Sequence, residues 1–327
     1  MNKNYVKIIL FKVINIFFLF ILINIINIYI NDDMRNKIIK IGFNKKFVIF
    51  IIKNNYNTAG LLAYYYGYLG CVRNYILNGY IPIIDLISHP NILNGFNTSI
   101  TKNPWEVFFN QPFNYTLYNV KKNAKNIKYI ECLGVRDGPK FNILDDKIIR
   151  KYWHNVAKKY IPIKKEIIKE ANNQFKNLFH NSINILGILI RGTDYIAIKP
   201  HNHAIQPTPE MVFKDIKIED NKNKYDWFFL TTEDDIIREK FIHKYGKKLK
   251  YIKSKTNINY NYKKKELLAF NNKIRGNLEY MKIYLINIII LSKCLDIIAS
   301  KTAGTIVTFI LTKGFRNKLI YNLGQYK

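Results

Sequence analysis

Apolar and polar residues alternate along the chain in blocks whose lengths predict strands and helices in turn. The run KKFVIFIIKNN at residues 45–55 predicts a buried strand that stops at polar turn residues. A helix is predicted over residues 61–77, because NTAG before it forms a turn and Asn78-Gly79 after it ends a helix. A strand is predicted next, at residues 80–86. Strand, helix and strand in this order are typical of an α/β layer.

The middle of the chain is patterned less regularly. Residues 88–145 are rich in turn residues and predict loops, and their most distinctive piece is the aromatic NPWEVFFNQPF at residues 103–113. A charged stretch at residues 146–180 predicts one helix that leads into the second half of the chain.

The second half, residues 181–327, alternates more clearly. Strands are predicted at residues 183–190, 226–230, 249–252 and 296–299, and helices at residues 208–217, 231–245, 278–293 and 306–311. Buried strands alternating with helices predict a doubly wound parallel sheet, which binds ligands at the carboxyl ends of its strands.

The N-terminal segment is nearly all apolar over residues 8–30, a length that could span a bilayer. Four polar residues interrupt it on one half of a helix: Lys12, Asn15, Asn24 and Asn27. A helix in the membrane plane and a buried core helix are therefore alternatives to a spanning one. Since no small-residue cleavage site follows, we predict that residues 1–40 form an uncleaved membrane-associated segment, with the rest of the chain in the cytoplasm. The alternative is a wholly cytoplasmic protein.

Composition narrows the possible partners. The 327 residues carry a net charge of +29, but only eight of the 52 basic residues are arginines and the lysines are dispersed. Because no nucleic-acid-binding motif occurs either, we expect no nucleic-acid partner, whereas phosphate-bearing ligands and anionic lipids remain favoured. The cysteines Cys71, Cys132 and Cys294 stand far apart. This spacing predicts neither a disulfide framework nor a zinc site, and it fits a reducing compartment.

Three predicted strands of the second half end in polar residues: RGTD at residues 191–194, TTED at 231–234 and SKTAGT at 300–305. Arg191 can fork onto a phosphate, which lysine cannot do. Gly192 permits close backbone approach, and Asp194 could hold the guanidinium. The alternative is an ordinary surface ion pair.

Each of the other two strand ends can also be interpreted in two ways, as a ligand site or as an ordinary helix start. SKTAGT offers hydroxyls and backbone N–H groups before a helix, a natural anion cradle, although it lacks P-loop spacing and could be an ordinary capped turn. The carboxylates of TTED, Glu233 and Asp234, could bind a ligand or could only cap a helix.

These motifs together resemble the GDP-fucose-dependent fucosyltransferase superfamily. The resemblance is to its α1,6-fucosyltransferase and nodulation fucosyltransferase branch, and to a bacterial set of surface-polysaccharide glycosyltransferase-like proteins. It is carried by the strand and RGTD at residues 188–194, by His203-Ala204-Ile205, by LTTED at residues 230–234 and by LS through SKTA at residues 291–303. The first-half pieces NTAGLL, NGYIPIIDL and NPWEVFFNQPF are similar to motifs of the bacterial set.

The resemblance implies a GT-B-like α/β fold with two Rossmann-like lobes, an acceptor-side lobe at residues 41–180 and a nucleotide-sugar lobe at residues 181–327. It implies inverting, metal-independent transfer, in which Arg191 binds the β-phosphate of a GDP-sugar while Ser300, Thr302 and nearby amides hold the remaining phosphates. The residues predicted to bind the GDP-sugar donor are Arg191, Gly192, Lys199, Thr231, Glu233, Asn287, Ser300, Lys301, Thr302, Gly304 and Thr305.

Three positions depart from the family pattern. A guanine-reading histidine of the family is Leu189 here, its proposed catalytic glutamate is Lys199, and a guanine-contacting aspartate aligns with Asn287. The nucleotide base and the catalytic base are therefore open. Candidates for the catalytic base are Asp194, His203, Glu106 and Glu233.

The sequence thus predicts a glycosyltransferase that moves fucose, or another GDP-activated sugar, to a surface polysaccharide or lipid-linked glycan. No cofactor is expected besides the donor. The alternatives are a non-catalytic nucleotide-sugar or glycan-binding relative and a basic nucleic-acid or membrane-surface binder.

Overall fold

The computed structural model describes the backbone of residues 49–53 and, in full, residues 59–124, 126–132, 138–254, 256 and 260–327. The predicted N-terminal helix lies outside these residues. None of the described helices is long and apolar enough to cross a membrane.

The first half contains a parallel sheet of three strands in the order β2-β1-β3. Its elements are β1 (Ile49–Lys53), α1 (Leu61–Leu77), β2 (Ile81–Ile84), α2 (Trp105–Phe108), α3 (Leu117–Asn123) and β3 (Ile127–Glu131). Helix α1 has the predicted bounds, and it ends where Gly79 takes a φ of +81°. The region at residues 88–145, predicted to be rich in loops, also contains α2, α3 and β3, which the sequence did not predict. In β3 most side chains remain exposed, so no apolar alternation marks the strand.

The predicted helix over residues 146–180 is two helices, α4 (Lys147–Tyr160) and α5 (Lys165–Phe179). The break falls at Pro162, which has no N–H to donate and disfavours a helical conformation in the residue before it. Ile161 accordingly has φ −136° and ψ 58°.

The second half contains a parallel sheet of five strands in the order β6-β5-β4-β7-β8. Its elements are β4 (Ile185–Leu189), α6 (Thr193–Ala197), α7 (Pro209–Asn223), β5 (Trp227–Thr231), α8 (Asp235–Tyr245), β6 (Leu249–Lys250), α9 (Leu278–Leu291), β7 (Asp296–Ser300), α10 (Ala303–Leu311) and β8 (Lys318–Tyr321). The doubly wound parallel sheet is confirmed, with β8 and α6 as elements that the sequence did not predict. Strand order reverses between β4 and β7, which makes this the switch point of the sheet.

Both faces of the second sheet are buried, as a parallel sheet requires. Leu186 and Ile188 of β4 pack with the apolar residues of α7 and α8, whereas Ile185 and Leu189 pack with those of α9. Gly187 lets α9 lie close to β4, because a Cβ there would be 2.7 Å from Leu291 Cδ1.

One hydrophobic cluster joins the two halves. It contains buried residues of α1, α4, α5, α9 and α10 together with β2 and the second sheet. Helix α5 packs along α9, and α10 packs against α1 and α4. A ring nitrogen of His154 in α4 lies 2.9 Å from the carbonyl oxygen of Ile310 in α10.

The cysteine prediction is wrong for one pair. Cys71 of α1 and Cys132, directly after β3, form a disulfide with their Cα atoms 6.1 Å apart. They are 61 residues apart in sequence but become neighbours because the residue after β3 lies against α1, with Cys132 Sγ 3.9 Å from the carbonyl oxygen of Gly67. The inference of a reducing compartment therefore loses its basis. Cys294 is a free, buried thiol.

Candidate functional site

Arg191 and Ser300 lie at the switch point, where Arg191 follows β4 and Ser300 ends the neighbouring strand β7. The buried side chain of Gln206 connects them. Its Oε1 accepts a hydrogen bond from Ser300 Oγ (2.6 Å) and one from the backbone N–H of Arg191 (3.4 Å), and its Nε2 donates to the carbonyl oxygen of Ala204 (2.8 Å). The two predicted ligand-binding strand ends are thus held together by a residue that the sequence did not single out.

The Arg191 guanidinium is paired on two sides. Nε lies 2.9 Å from Glu233 Oε1, and Nη2 lies 3.2 Å from Asp194 Oδ1. The first contact is an ion pair by distance, but its N–H is not aligned for a hydrogen bond. The guanidinium also lies 4.6 Å from the centre of the Tyr195 ring. Burial lowers the pKa of Arg191, but Glu233 and Asp194 outweigh this and hold the pKa well above its ordinary value.

Glu233 faces this arginine rather than capping a helix. Its Oε1 accepts hydrogen bonds from the backbone N–H of Gly192 (2.9 Å) and from Thr193 Oγ1 (3.0 Å). Burial raises the pKa of Glu233 above its ordinary value, since the opposing effects of Arg191 and the Gly192 N–H are smaller.

Asp234 is the helix cap that the alternative interpretation predicted. Its Oδ1 accepts hydrogen bonds from the N–H groups of Ile236 (2.9 Å) and Ile237 (3.1 Å) in the first turn of α8. Its Oδ2 accepts from the backbone N–H of Thr193 (2.9 Å) and from the hydroxyl of Tyr262. One carboxylate therefore links α8 to the turn that follows Arg191.

That turn has an unusual backbone. Thr193 has a φ of +44°, which is rare for a β-branched residue and is seen most often at functional sites. At Gly192 a Cβ would lie 2.0 Å from Asp234 Oδ2, so a side chain there would displace the carboxylate. The group that closely approaches the backbone at Gly192 is thus the carboxylate of Asp234, which belongs to the protein itself.

The SKTAGT turn is a capped start of α10. Thr302 Oγ1 accepts from the N–H of Thr305 (3.3 Å), and the Thr305 hydroxyl donates to the carbonyl oxygen of Ser300. Gly304 lies beneath Tyr284, whose hydroxyl would be 2.8 Å from a Cβ at that position. Lys301 lies over the ring of Phe141. The first N–H groups of a helix have no carbonyl partner inside it, which makes a helix start a general position for anions, and here Thr302 occupies the N–H of Thr305.

Three tyrosines lie close to Arg191, and no sequence pattern singled them out. Tyr280 and Tyr284 lie on α9, one turn apart, and Tyr195 lies on α6. Burial raises the pKa of all three, to about 12 for Tyr284. The spacing of Tyr280 and Tyr284 was a usable signal, because side chains four residues apart share one face of a helix.

Two other residues of the predicted GDP-sugar site are buried, and the hydrogen bonding of their side chains is incomplete. Thr231, the last residue of β5, is 3% exposed, and Asn287 of α9 is 8% exposed. Thr231 Oγ1 and Asn287 Oδ1 have no hydrogen-bond partner among the described residues. Unpaired buried polar atoms are uncommon in proteins.

The loop after α6 carries Lys199 and His203, both exposed. The His203 ring meets Tyr195 edge-on with centroids 5.3 Å apart, which places the imidazole beside the ring that Arg191 covers. The C-terminal residues hold this loop in place. The N–H of Ile205 donates to the carbonyl oxygen of Gly324, and the N–H of Tyr326 to that of His203.

Glu106 belongs to a different environment in the first half. It accepts hydrogen bonds from the backbone N–H of Leu117 (2.7 Å) and from Gln111 Nε2 (3.1 Å). Neither partner belongs to the group around Arg191. Among the described residues, no set of His, Cys, Asp and Glu side chains is arranged to hold a metal ion.

In the comparisons with known proteins, the matches are to solved structures. No protein-family model and no curated protein matches the chain. The fucosyltransferase NodZ from Bradyrhizobium is 12% identical, with a TM-score of 0.46 over 80% of this chain and 93% of that one. POFUT1 in complex with GDP is 7% identical, with a TM-score of 0.45 over 85% of this chain and 98% of that one. NodZ is described as an α1,6-fucosyltransferase, of the family that the motifs of this chain resemble.

Proposed function

We propose that this protein is a glycosyltransferase that moves fucose, or another GDP-activated sugar, to a surface polysaccharide or lipid-linked glycan. The observation that carries the proposal is at the switch point. There an arginine and the capped start of α10 lie at adjacent strand ends, joined through Gln206. A cation beside the N-terminus of a helix is a combination that binds phosphate groups.

In this proposal the donor diphosphate lies between Arg191 and the first turn of α10, where Ser300 and Thr302 add hydroxyls. Thr231 and Asn287, whose side-chain oxygens lack partners, are the remaining buried candidates for contact with the nucleotide. Gly192 admits the carboxylate of Asp234, and Lys199 lies exposed on the loop nearby.

The proposed chemistry is inverting and metal-independent. The acceptor oxygen forms a bond to C1 of the sugar as the bond from C1 to the phosphate oxygen breaks, and the acceptor proton passes to a base. Arg191 stabilises the negative charge that develops on the departing diphosphate, which is the effect that preorganised donors supply best. Asp194, His203 and Glu106 are the candidate bases. His203 combines exposure with a place beside Tyr195.

The organisation proposed for the whole chain has an acceptor side at residues 41–180, a donor side at residues 181–327 and membrane association through residues 1–40. Deleting residues 1–30 is expected to move the protein from the membrane fraction to the soluble fraction without loss of nucleotide binding. Cell fractionation of both forms is the measurement. Full-length protein that is wholly soluble would remove the anchor from the proposal.

A thermal-shift series with GDP, GDP-fucose and UDP-sugars, without added divalent metal, tests the donor. At about a hundredfold excess over the dissociation constant, a specific ligand stabilises the fold by roughly 2.7 kcal/mol. Stabilisation by UDP-sugars alone would show that the donor is wrong, and no stabilisation by any of them would contradict the proposal itself. Release of free nucleotide in the presence of acceptor glycan separates an enzyme from a non-catalytic binder.

A further inference from the structure

The group around Arg191 holds more negative charge than positive. Glu233 and Asp194 both contact the guanidinium, and Asp234 lies against the adjoining turn. A donor diphosphate that approaches Arg191 therefore meets carboxylates already in place. Like charges at short distance in a buried site disfavour each other strongly. The proposed function thus needs one of these carboxylates to lose its charge or move when the donor binds.

Asp234 and Asp194 each accept hydrogen bonds at both of their carboxylate oxygens. Asp234 accepts three backbone N–H bonds and the Tyr262 hydroxyl. Asp194 accepts a hydrogen bond from Arg191 Nη2 at 3.2 Å and a second, at the same distance, from the backbone N–H of Leu268. Hydrogen bonds from donors to a carboxylate stabilise its ionised form.

Glu233 is held differently. It accepts one backbone N–H bond and one hydroxyl, both at the same oxygen, and its contact with Arg191 Nε is not an aligned hydrogen bond. Its side chain is 7% exposed, and burial raises its pKa. Glu233 therefore differs from the other two carboxylates in that its hydrogen bonds converge on one oxygen, Oε1, while burial raises its pKa.

The positive charge that contacts Glu233 is that of Arg191. The groups that act on it electrostatically are Arg191, Asp194, Tyr195, Tyr262, Tyr280 and Tyr284, and Asp234 follows it in the chain. The four tyrosines are neutral near pH 7, because burial raises the pKa of each. Arg191 is the one cation in this set.

We propose that Glu233 takes up one proton from solvent when the donor diphosphate binds to Arg191, and that the neutral carboxyl then donates a hydrogen bond to a phosphate oxygen. This inference rests on the proposed function and adds a protonation step to donor binding. No bond forms or breaks except the O–H bond of the carboxyl group. Glu233 then serves the anion as a donor, whereas in the free protein it competes for the same arginine.

The pH dependence has a definite sign. Bound diphosphate raises the pKa of Glu233 further, so the complex holds a proton that the free protein has lost. Between the free and the bound pKa, affinity falls about tenfold for each unit of rising pH. Below the free pKa the group is already protonated, and above the bound pKa the proton is lost in both states, so affinity is level in both ranges.

The test is calorimetric titration of the full chain with GDP-fucose in two buffers of different ionisation enthalpy. GDP-fucose is the suitable probe because its diphosphate is esterified and does not titrate near neutral pH, whereas the terminal phosphate of GDP does. Within the pH-dependent range, the wild type is expected to take up about one proton per ligand bound. This measurement needs no variant. Binding of GDP-fucose without proton uptake at any pH would overturn the inference and leave the proposed function standing.

Variants then assign the proton. Glu233→Gln is expected to abolish the uptake, to make affinity independent of pH and to bind more tightly than wild type at high pH. Asp85→Asn is the matched control, because Asp85 is a buried carboxylate outside the group around Arg191, and this variant should keep the uptake. Uptake that survives Glu233→Gln, or that disappears with Asp85→Asn, would assign the proton to another group. Absence of GDP-fucose binding at every pH would contradict the proposed function and this inference together.

Discussion

Asp85 and Glu233 are buried carboxylates that follow parallel strands, β2 in the first half and β5 in the second, yet their surroundings act in opposite directions. Burial opposes ionisation of Asp85, but hydrogen bonds from Ser88 and the N–H groups of Ile87 and Ser88, with Lys121 at 3.1 Å, outweigh it and hold its pKa below the ordinary value. At Glu233 burial prevails over Arg191, and the pKa is raised. Position at a strand end therefore does not by itself make a carboxylate functional.

The loops around the two carboxylates explain the difference. In the first half, polar side chains form hydrogen bonds with the backbone N–H and C=O groups at the end of β2 and in the loop after it. Gln111 and Asn103, for example, both bond the peptide groups of Ile84 or Leu86, and Asn91 and Asn94 hold residues 86–89. At the end of β5, Glu233 instead contacts the guanidinium of Arg191 and accepts few hydrogen bonds. The first arrangement fixes a loop, whereas the second pairs a carboxylate with an arginine.

The largest effect is expected for Arg191→Lys. Lysine keeps the charge but lacks the planar fork, and loss of one preorganised donor to developing charge lowers the rate about 10² to 10³-fold, roughly 2.7 to 4 kcal/mol. The measurement is turnover per folded molecule, with the melting temperature recorded alongside. Lys121→Met, which removes the cation that pairs with Asp85, is the control and should keep turnover per folded molecule. Near-normal turnover in Arg191→Lys would mean that the pair of Arg191 with Glu233 matters no more for turnover than the pair of Lys121 with Asp85.

A smaller effect is expected for Gly192→Ala. A Cβ at this position cannot coexist with the Asp234 carboxylate, so the variant should lose about 1 to 3 kcal/mol of stability together with nucleotide binding. Gly60→Ala is the matched control, because nothing lies within 4 Å of a Cβ there. If the clash is the cause, Gly192→Ala in an Asp234→Ala background should be nearly silent in stability. Additive losses would point to another cause.

Asp85→Asn is expected to act on stability and to leave donor affinity unchanged. Loss of a buried charged acceptor costs about 1 to 3 kcal/mol at neutral pH. Because the folded pKa of Asp85 lies below its unfolded value, its contribution is present above the unfolded pKa and is lost as pH falls through the folded pKa. Urea unfolding of both proteins should therefore show a difference that shrinks in acid. A difference that is constant with pH would mean that the charge of Asp85 contributes nothing.

The smallest effect is expected for Glu106→Gln, which separates two roles. A loop role predicts a loss of about 0.5 to 1.5 kcal/mol of stability with turnover per folded molecule maintained, since Glu106 bonds Leu117 and Gln111. A role as catalytic base predicts that turnover falls about 10² to 10⁴-fold. The contacts favour the first outcome. Turnover and melting temperature measured on the same preparation distinguish the two.

The elements with a strong periodic signal were predictable. The bounds of α1 and the core strands of the second sheet follow from apolar runs bounded by turn residues, because burial on both faces of a parallel sheet leaves a continuous apolar run. Strand β3 was not predictable in this way. Its exposed side chains mean that pairing with β1, rather than burial, makes it a strand.

Which residue types would meet at the candidate site followed from the sequence, since the carboxyl ends of neighbouring parallel strands share one edge. How they meet was decided by the tertiary structure. The two adjacent carboxylates Glu233 and Asp234 differ in role only because one points to Arg191 and the other to the start of α8. Gln206 and the pairing of Cys71 with Cys132 depend on contacts between segments distant in the chain, which no local pattern encodes. The sequence by itself determined α1, the core strands of the second sheet and the chemical groups at their ends, because these depend on local periodicity. The charge state and partners of those groups depend on burial and on donor geometry, which exist only once the chain has folded.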